Sequence, residues 1–213
     1  MAHVVLLGDS ILDNGAYTSG GPDVVAQLRS VLPVEWDATL IAVDGSVAAD
    51  VPAQLRRIPG GATHLVLSAG GNDALGHIGL ISAPARSAAE VLDQLAAAAR
   101  AFEARYRAAV AAVLSRGLPT TLCTIYDGWS ADASFQRRAS TALLAFNDVI
   151  IRVAVEHGLT RIELRLICTE AADYANPIEP SSRGGEKIAR AIAQAVGAYG
   201  ATGGSRVVGG AER

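Results

Sequence analysis

Five short apolar runs, at residues 4–7, 39–43, 64–68, 120–125 and 161–164, are separated along this chain by longer stretches with helical spacing. A strand that is apolar at nearly every position has to be covered on both faces, and a connection long enough to hold a helix joins parallel neighbours. The stretches at 22–32, 47–58, 85–116, 134–158 and 181–199 supply those helices, and the third carries an Ala-rich segment from Ala88 onward. The alternation predicts an α/β fold, a three-layer α/β/α sandwich with a five-stranded parallel sheet and right-handed crossovers. Pro59-Gly60-Gly61 and Gly117-Leu118-Pro119 end helices ahead of strands, so they read as turns within one domain and not as linkers.

With 213 residues, half of them hydrophobic, the chain can bury one substantial core, and a single domain over residues 1–200 is expected. Residues 201–213 are Gly-rich with little apolar surface to bury, and read as a flexible tail. A formal charge of -3 and the lack of any Lys/Arg-rich run exclude a field that would attract a phosphate backbone, so no nucleic-acid partner is expected. The first strand is entered by about His3 with no apolar leader before it, which gives an expected cytoplasmic location. No amphipathic lipid-docking helix or large lid insertion stands out, so no stable membrane association is expected. Cys123 and Cys168 lie far apart and outside any Cys-x-x-Cys or Cys/His pattern, which makes them small buried hydrophobes and not metal ligands.

Three strand exits carry chemistry. Gly8-Asp9-Ser10 leaves the first apolar run at once and places the Ser10 hydroxyl where open parallel sheets keep their ligand crevice. Asp44-Gly45-Ser46 follows the second run, where Gly45 offers a backbone N–H with no side chain in the way. Ser68-Ala69-Gly70-Gly71-Asn72-Asp73 leaves the third, and the Asn72 amide suits developing negative charge because it donates without a proton to lose. The first also has a plainer reading as an N-cap or turn, and the third as an Asx-turn.

In that order the three segments resemble the SGNH hydrolases, also called the GDSL esterase and lipase family, over residues 3–199. The resemblance implies a flavodoxin-like fold and acyl-ester hydrolysis without metal or cofactor. It also implies Ser10 as nucleophile, with its own N–H, the Gly45 N–H and the Asn72 amide forming an oxyanion hole. The closing block of that family reads Asp-x-x-His-Pro, whereas here it reads Asn176-Pro177-Ile178-Glu179-Pro180, with a carboxylate in the place of the imidazole.

Three readings of Glu179 stand side by side. It replaces the histidine as general base, which requires burial to raise a pKa ordinarily near 4.3. Or His77, four residues beyond Asp73, supplies the imidazole. Or Glu179 pairs with Arg183 or caps the last helix, leaving a ligand-binding fold with little or no hydrolysis. His3, His64 and His157 read as structural, Asp173 as a loop or capping residue, Asp9 as a brace of the serine turn, and Asp13-Asn14-Gly15 as a turn. Tyr17, Tyr126, Trp129 and Tyr174 are candidates to line a pocket or simply to pack. The expected function is serine esterase or acyl hydrolase chemistry on a small soluble ester, through an acyl-enzyme on Ser10. The alternatives are a non-catalytic binding protein and a non-hydrolytic enzyme using Glu179 as base.

Overall fold

The computed structural model describes residues 2–197 and 206–210. Strands β1 (His3–Gly8), β2 (Asp37–Leu40), β3 (His64–Ser68), β4 (Thr120–Cys123), β5 (Thr160–Ile162) and β6 (Val207–Val208) form one sheet in the order β2-β1-β3-β4-β5-β6. Every neighbouring pair is parallel. The α/β sandwich and its parallel sheet are therefore as expected, but the described residues form six strands and not five. The sixth lies within the segment read as a tail: the Arg161 N–H donates to Arg206 O at 2.6 Å and the Glu163 N–H to Val208 O at 2.8 Å. The two exposed backbone edges satisfy each other, so even a Gly-rich stretch is held as an edge strand there. Residues 201–205 and 211–213 lie outside the described residues.

The two-residue period of each strand feeds two cores. Val4 and Leu6 point with Val66, Cys123 and Ile162 into the layer filled by α1 (Val24–Val31) and α6 (Ser182–Gly197). Val5 and Leu7 point with Leu65, Leu67 and Leu122 to the opposite face, where α2 (Val51–Gln54), α4 (Ala88–Leu114) and α5 (Ala133–Glu156) pack. All four apolar residues of β1 are fully buried, which explains the unbroken apolar run. Side chains cap the long helices: Asp23 accepts from Ala26 N–H, Ser87 from Glu90 N–H, and Asp132 from the Ser134 and Phe135 N–H groups.

Element boundaries differ where side chains override pattern. The apolar run at 39–43 continues beyond β2, because Ile41 and Ala42 both turn their N–H groups onto Leu6 O instead of extending the ladder. The helix expected over 47–58 is broken into a 3-10 turn at Ala48–Asp50, the short α2, and another 3-10 turn at Leu55–Arg57. Cys123 and Cys168 are both buried and free. No helix among the described residues is long and apolar enough to cross a membrane.

Candidate active site

The strand order places β1 between β2 and β3, so the chain reverses its winding direction there and opens a crevice above the carboxyl ends of the strands. Ser10 leaves β1 into it. Gly8 has φ +120, and a Cβ there would lie 1.5 Å from Ser68 O, so β1 and β3 approach closely only because the residue is glycine. The turn is then wound tight: Asp9 N–H donates to Ser68 O at 3.1 Å, and Asp9 O accepts from both Leu12 and Asp13 N–H.

Gln54 of α2 locks the same turn. Its Oε1 accepts from Gly8 N–H at 2.8 Å while its Nε2 donates to Gly8 O at 2.7 Å, and to Ser46 Oγ at 3.3 Å. Sequence reasoning passed over Gln54, and the only signal was a lone amide in an otherwise amphipathic stretch. Asn14 was likewise read as a turn former; it is fully buried, accepting from Val24 N–H and donating to Pro180 O, so it ties the serine turn to α1 and to the closing loop.

Asn72 stands in the first turn of α3 (Gly71–Leu75) and donates through Nδ2 to Ser46 O at 2.9 Å, which orients the amide and leaves its second N–H uncommitted. Neighbouring Asp73 is a brace: Oδ2 accepts from Ala48 N–H at 2.8 Å and Oδ1 pairs with Arg105 at 3.1 Å. Gly45, at φ +79, sits in the exposed turn after β2. Among the described residues, neither the Ser10 N–H nor the Gly45 N–H has a hydrogen-bond acceptor.

The closing loop is held on every side. Asn176 Oδ1 accepts from the Ile178 and Glu179 N–H groups at 3.0 Å each, so this amide caps its own turn. The Tyr126 hydroxyl donates to Ile178 O at 2.6 Å, and Trp129 N–H donates to Pro177 O at 2.9 Å. These contacts hold Glu179 at the cavity that Ser10 also lines, near enough for the Ser10 hydroxyl to act on its carboxylate. Glu179 is 7% exposed, and its Oε2 is buried without a partner. Burial pushes its pKa above the ordinary value, opposed by the Ser10 hydrogen bond and reinforced by the charge of Asp44.

Arg183 does not pair with Glu179; it pairs with Glu170, and Ser181 Oγ accepts from Gly184 N–H at the start of α6. The ion-pair and helix-cap roles weighed for Glu179 are thus filled by other residues. Asp173 is a fully buried brace that accepts from Glu170 N–H and pairs with Lys187. His3 bonds Thr39, His64 stacks on Trp36, and His157 closes the C-terminus of α5, three structural roles as expected.

Asp9 is 1% exposed, with Oδ1 accepting from Ile11 N–H and from Ser68 Oγ, both at 3.2 Å. Burial raises its pKa to about 7, against the lowering effect of those hydrogen bonds, with the Glu179 charge adding to the rise.

Asp9, Ser10, Asn72 and Glu179 all border one cavity of about 230 Å³. Its other walls are mostly apolar, chiefly Ile78, Leu95, Ile125, Phe135, Leu143 and Phe146. Ser10 is only 6% exposed, and it lines this space. His77 also borders the cavity, its ring tilted against Phe146 at 6.3 Å, and among the described residues it makes no hydrogen bond to Ser10 or Glu179. Tyr126 and Trp129 line the cavity, and Tyr174 supports Tyr126 edge-on at 5.2 Å. Gly45 is not among the lining residues, although its neighbour Ser46 receives the Asn72 amide. Among the described residues no group of three His, Cys, Asp or Glu side chains is placed to hold a metal ion.

The family model described as GDSL-like lipase/acylhydrolase matches residues 6–187. No curated protein matches the chain. Among solved structures, an extracellular lipase from Streptomyces rimosus superposes with a TM-score of 0.70 at 18% identity, covering 92% of this chain and 100% of that one. A phospholipase A1 from Streptomyces albidoflavus gives 0.66 at 15% identity over 91% and 98% of the two chains. An acetyl xylan esterase gives 0.67 at 18% identity over 91% and 99%. At these identities the likeness to the solved structures is one of fold.

Proposed function

The chain belongs to the GDSL-like lipase/acylhydrolase family, and from that premise we propose that it is a carboxylic-ester hydrolase in which Ser10 is the nucleophile and Glu179 the general base. The observation that carries the reading is that Ser10, Asn72 and Glu179 border the same apolar cavity, with the Ser10 hydroxyl near enough to act on the Glu179 carboxylate. A serine hydroxyl attacks an ester only as its proton leaves, and a carboxylate is a better acceptor the higher its pKa. Burial supplies that increase here.

As the Ser10 Oγ–carbonyl bond forms, the proton passes to Glu179. The negative charge gathers on the former carbonyl oxygen, where the uncommitted Ser10 N–H, Gly45 N–H and second Asn72 N–H are its donors. Collapse expels the alcohol, which takes the proton back from Glu179 and leaves the acyl group on Ser10. Water then attacks that acyl group, giving its proton to Glu179; collapse breaks the Ser10 Oγ–carbonyl bond, Ser10 takes that proton back from Glu179, and the acid leaves. The acyl chain occupies the apolar cavity.

An alkyl phosphonate directed at serine hydrolases tests the nucleophile. It labels the wild type once and leaves Ser10→Ala unlabelled. A folded wild type that takes no label removes Ser10 from the mechanism and favours a binding protein.

A further inference from the structure

The two flanks of Ser10 differ in chemistry. The loops after β3 and β4, on one side of β1 in the sheet order, build the apolar cavity. The loops after β1 and β2 build the other flank from Asp13, Tyr17 and Asp44, none of which lines that cavity. There the Tyr17 hydroxyl donates to Asp44 Oδ2 at 2.6 Å, and Asp44 N–H donates to Asp13 Oδ2 at 3.0 Å. Hydrogen bonding to Asp44 first, then burial and the charges of Glu179, Asp44 and Asp13, push the Tyr17 phenol up to about 12. Glu179 in turn feels Asp44.

Among the described residues, no Lys or Arg pairs with Asp9, Asp13, Asp44 or Glu179. Among the described residues the ion-paired cations are all spent on other carboxylates, which leaves this flank without a salt-bridge partner. A second observation points to a ligand. Glu179 is more than nine-tenths buried, lies within electrostatic reach of Asp44 and Tyr17, and among the described residues its Oε2 has no partner. A buried carboxylate oxygen without a donor is costly unless something else supplies positive charge. The carboxylates are not arranged to hold a metal ion, which favours an organic cation.

We propose that the acidic flank formed by Asp13, Tyr17, Asp44 and Glu179 receives a cationic leaving group, so that the substrate is an ester joining an apolar acyl chain to an ammonium-bearing alcohol. This rests on the placement of Ser10 and Glu179 at the reacting bond. The acyl chain enters the apolar cavity, the ester carbon meets Ser10, and the ammonium comes to lie among the carboxylates, with Tyr17 an aromatic neighbour of the kind that favours cations. The cation also draws substrate toward the site over a distance set by ionic strength.

Two esters of nearly identical shape test this: 2-(dimethylamino)ethyl butyrate, protonated at pH 7, and 3-methylbutyl butyrate, in which CH replaces the protonated nitrogen. Binding of each is measured by calorimetry to Ser10→Ala, where no turnover intervenes. The ammonium ester binds at least tenfold more tightly at low salt. That preference falls to threefold or less in 1 M NaCl, and likewise in Asp13→Asn/Asp44→Asn, whose amides still accept the same hydrogen bonds. Asp93→Asn, at an exposed carboxylate of α4, leaves it unchanged. Equal affinities, including undetectable binding of both, overturn the proposal, as does a preference that survives the double variant. Failure of the esterase reading shows differently: the ammonium preference persists while the wild type takes no phosphonate and hydrolyses neither ester.

Discussion

Two carboxylates flank the Ser10 backbone turn, and their surroundings push both toward the protonated form. For Glu179 this sets the pH profile. A base works only when ionised, so kcat/KM falls as pH drops through the raised pKa of Glu179. In Asn176→Asp/Glu179→His the acid limb moves to the imidazole range near ~6.5, and in Glu179→Gln kcat drops by about 10²-fold or more. Steady-state rates from pH 4 to 9 check both, and an unchanged limb in the double variant removes Glu179 as base. For Asp9 the consequence is stability. The folded protein keeps this proton up to about pH 7, whereas the unfolded chain releases it near the ordinary 3.8. Between those values unfolding releases a proton, so rising pH favours the unfolded state. Asp9→Asn removes that penalty while its oxygen still accepts from Ile11 and Ser68. In urea titrations the stability of Asp9→Asn relative to wild type rises by roughly 2 to 3 kcal/mol from pH 5 to pH 8; a difference that stays flat over that range rejects the assignment. The Gly8-Asp9-Ser10 chemistry was legible in the chain because it sits within three residues. The Asp9 environment was not, because its burial is made by β3 and the closing loop.

At the level of elements, two side-chain amides extend the sheet where the backbone leaves it. Gln54 brackets the N–H and C=O of Gly8, and Asn147 of α5 does the same for Ile125, at 2.8 and 2.9 Å. Each mimics an absent strand neighbour, and each steers the loop that follows: the serine turn in one case, the Tyr126-to-Trp129 wall in the other. Gln54→Leu strips Gly8 N–H of its partner in a buried setting, costing about 2 kcal/mol, and slows phosphonate labelling of Ser10 as the turn loosens. Urea denaturation and labelling kinetics measure the two effects, and labelling at the wild-type rate removes Gln54 from the positioning of Ser10. Helix α5 sets the depth of the cavity through Phe135, Leu143 and Phe146. Leu143→Trp fills part of that space and shifts the preferred acyl ester toward short chains; unaltered selectivity between butyrate and octanoate p-nitrophenyl esters places the acyl chain elsewhere. Neither amide was visible in the sequence, since Gln and Asn within helices most often face solvent and their partners here are 46 and 22 residues away.

Across the whole molecule, the order β2-β1-β3-β4 gives the site its polarity, with acidic loops on one flank of Ser10 and apolar loops on the other. The far edge is closed by β6, whose Val208 is 3% exposed and joins the core under α6. Ending the chain after Gly197 leaves β5 with an open edge. For a protein of this size the loss of about 1 to 2 kcal/mol lowers the melting temperature by roughly 3 to 8 °C, while Ser10 labelling persists because β5 stands away from β1. An unchanged melting temperature would mean that β6 adds nothing to the fold. The sequence by itself determined the layers, the parallel sheet and the strand exits bearing Ser10, Gly45 and Asn72, because apolar period and turn chemistry act over a few residues. It also announced the carboxylate at the closing block. Only the tertiary structure decided that Arg183 pairs with Glu170 and leaves Glu179 to the cavity beside Ser10, that Asn176 spends its oxygen on its own turn, and that the Gly-rich end adds a strand to the sheet. Those outcomes depend on which groups find a partner once distant segments are packed together, and a buried donor or acceptor is satisfied by proximity in space, not along the chain.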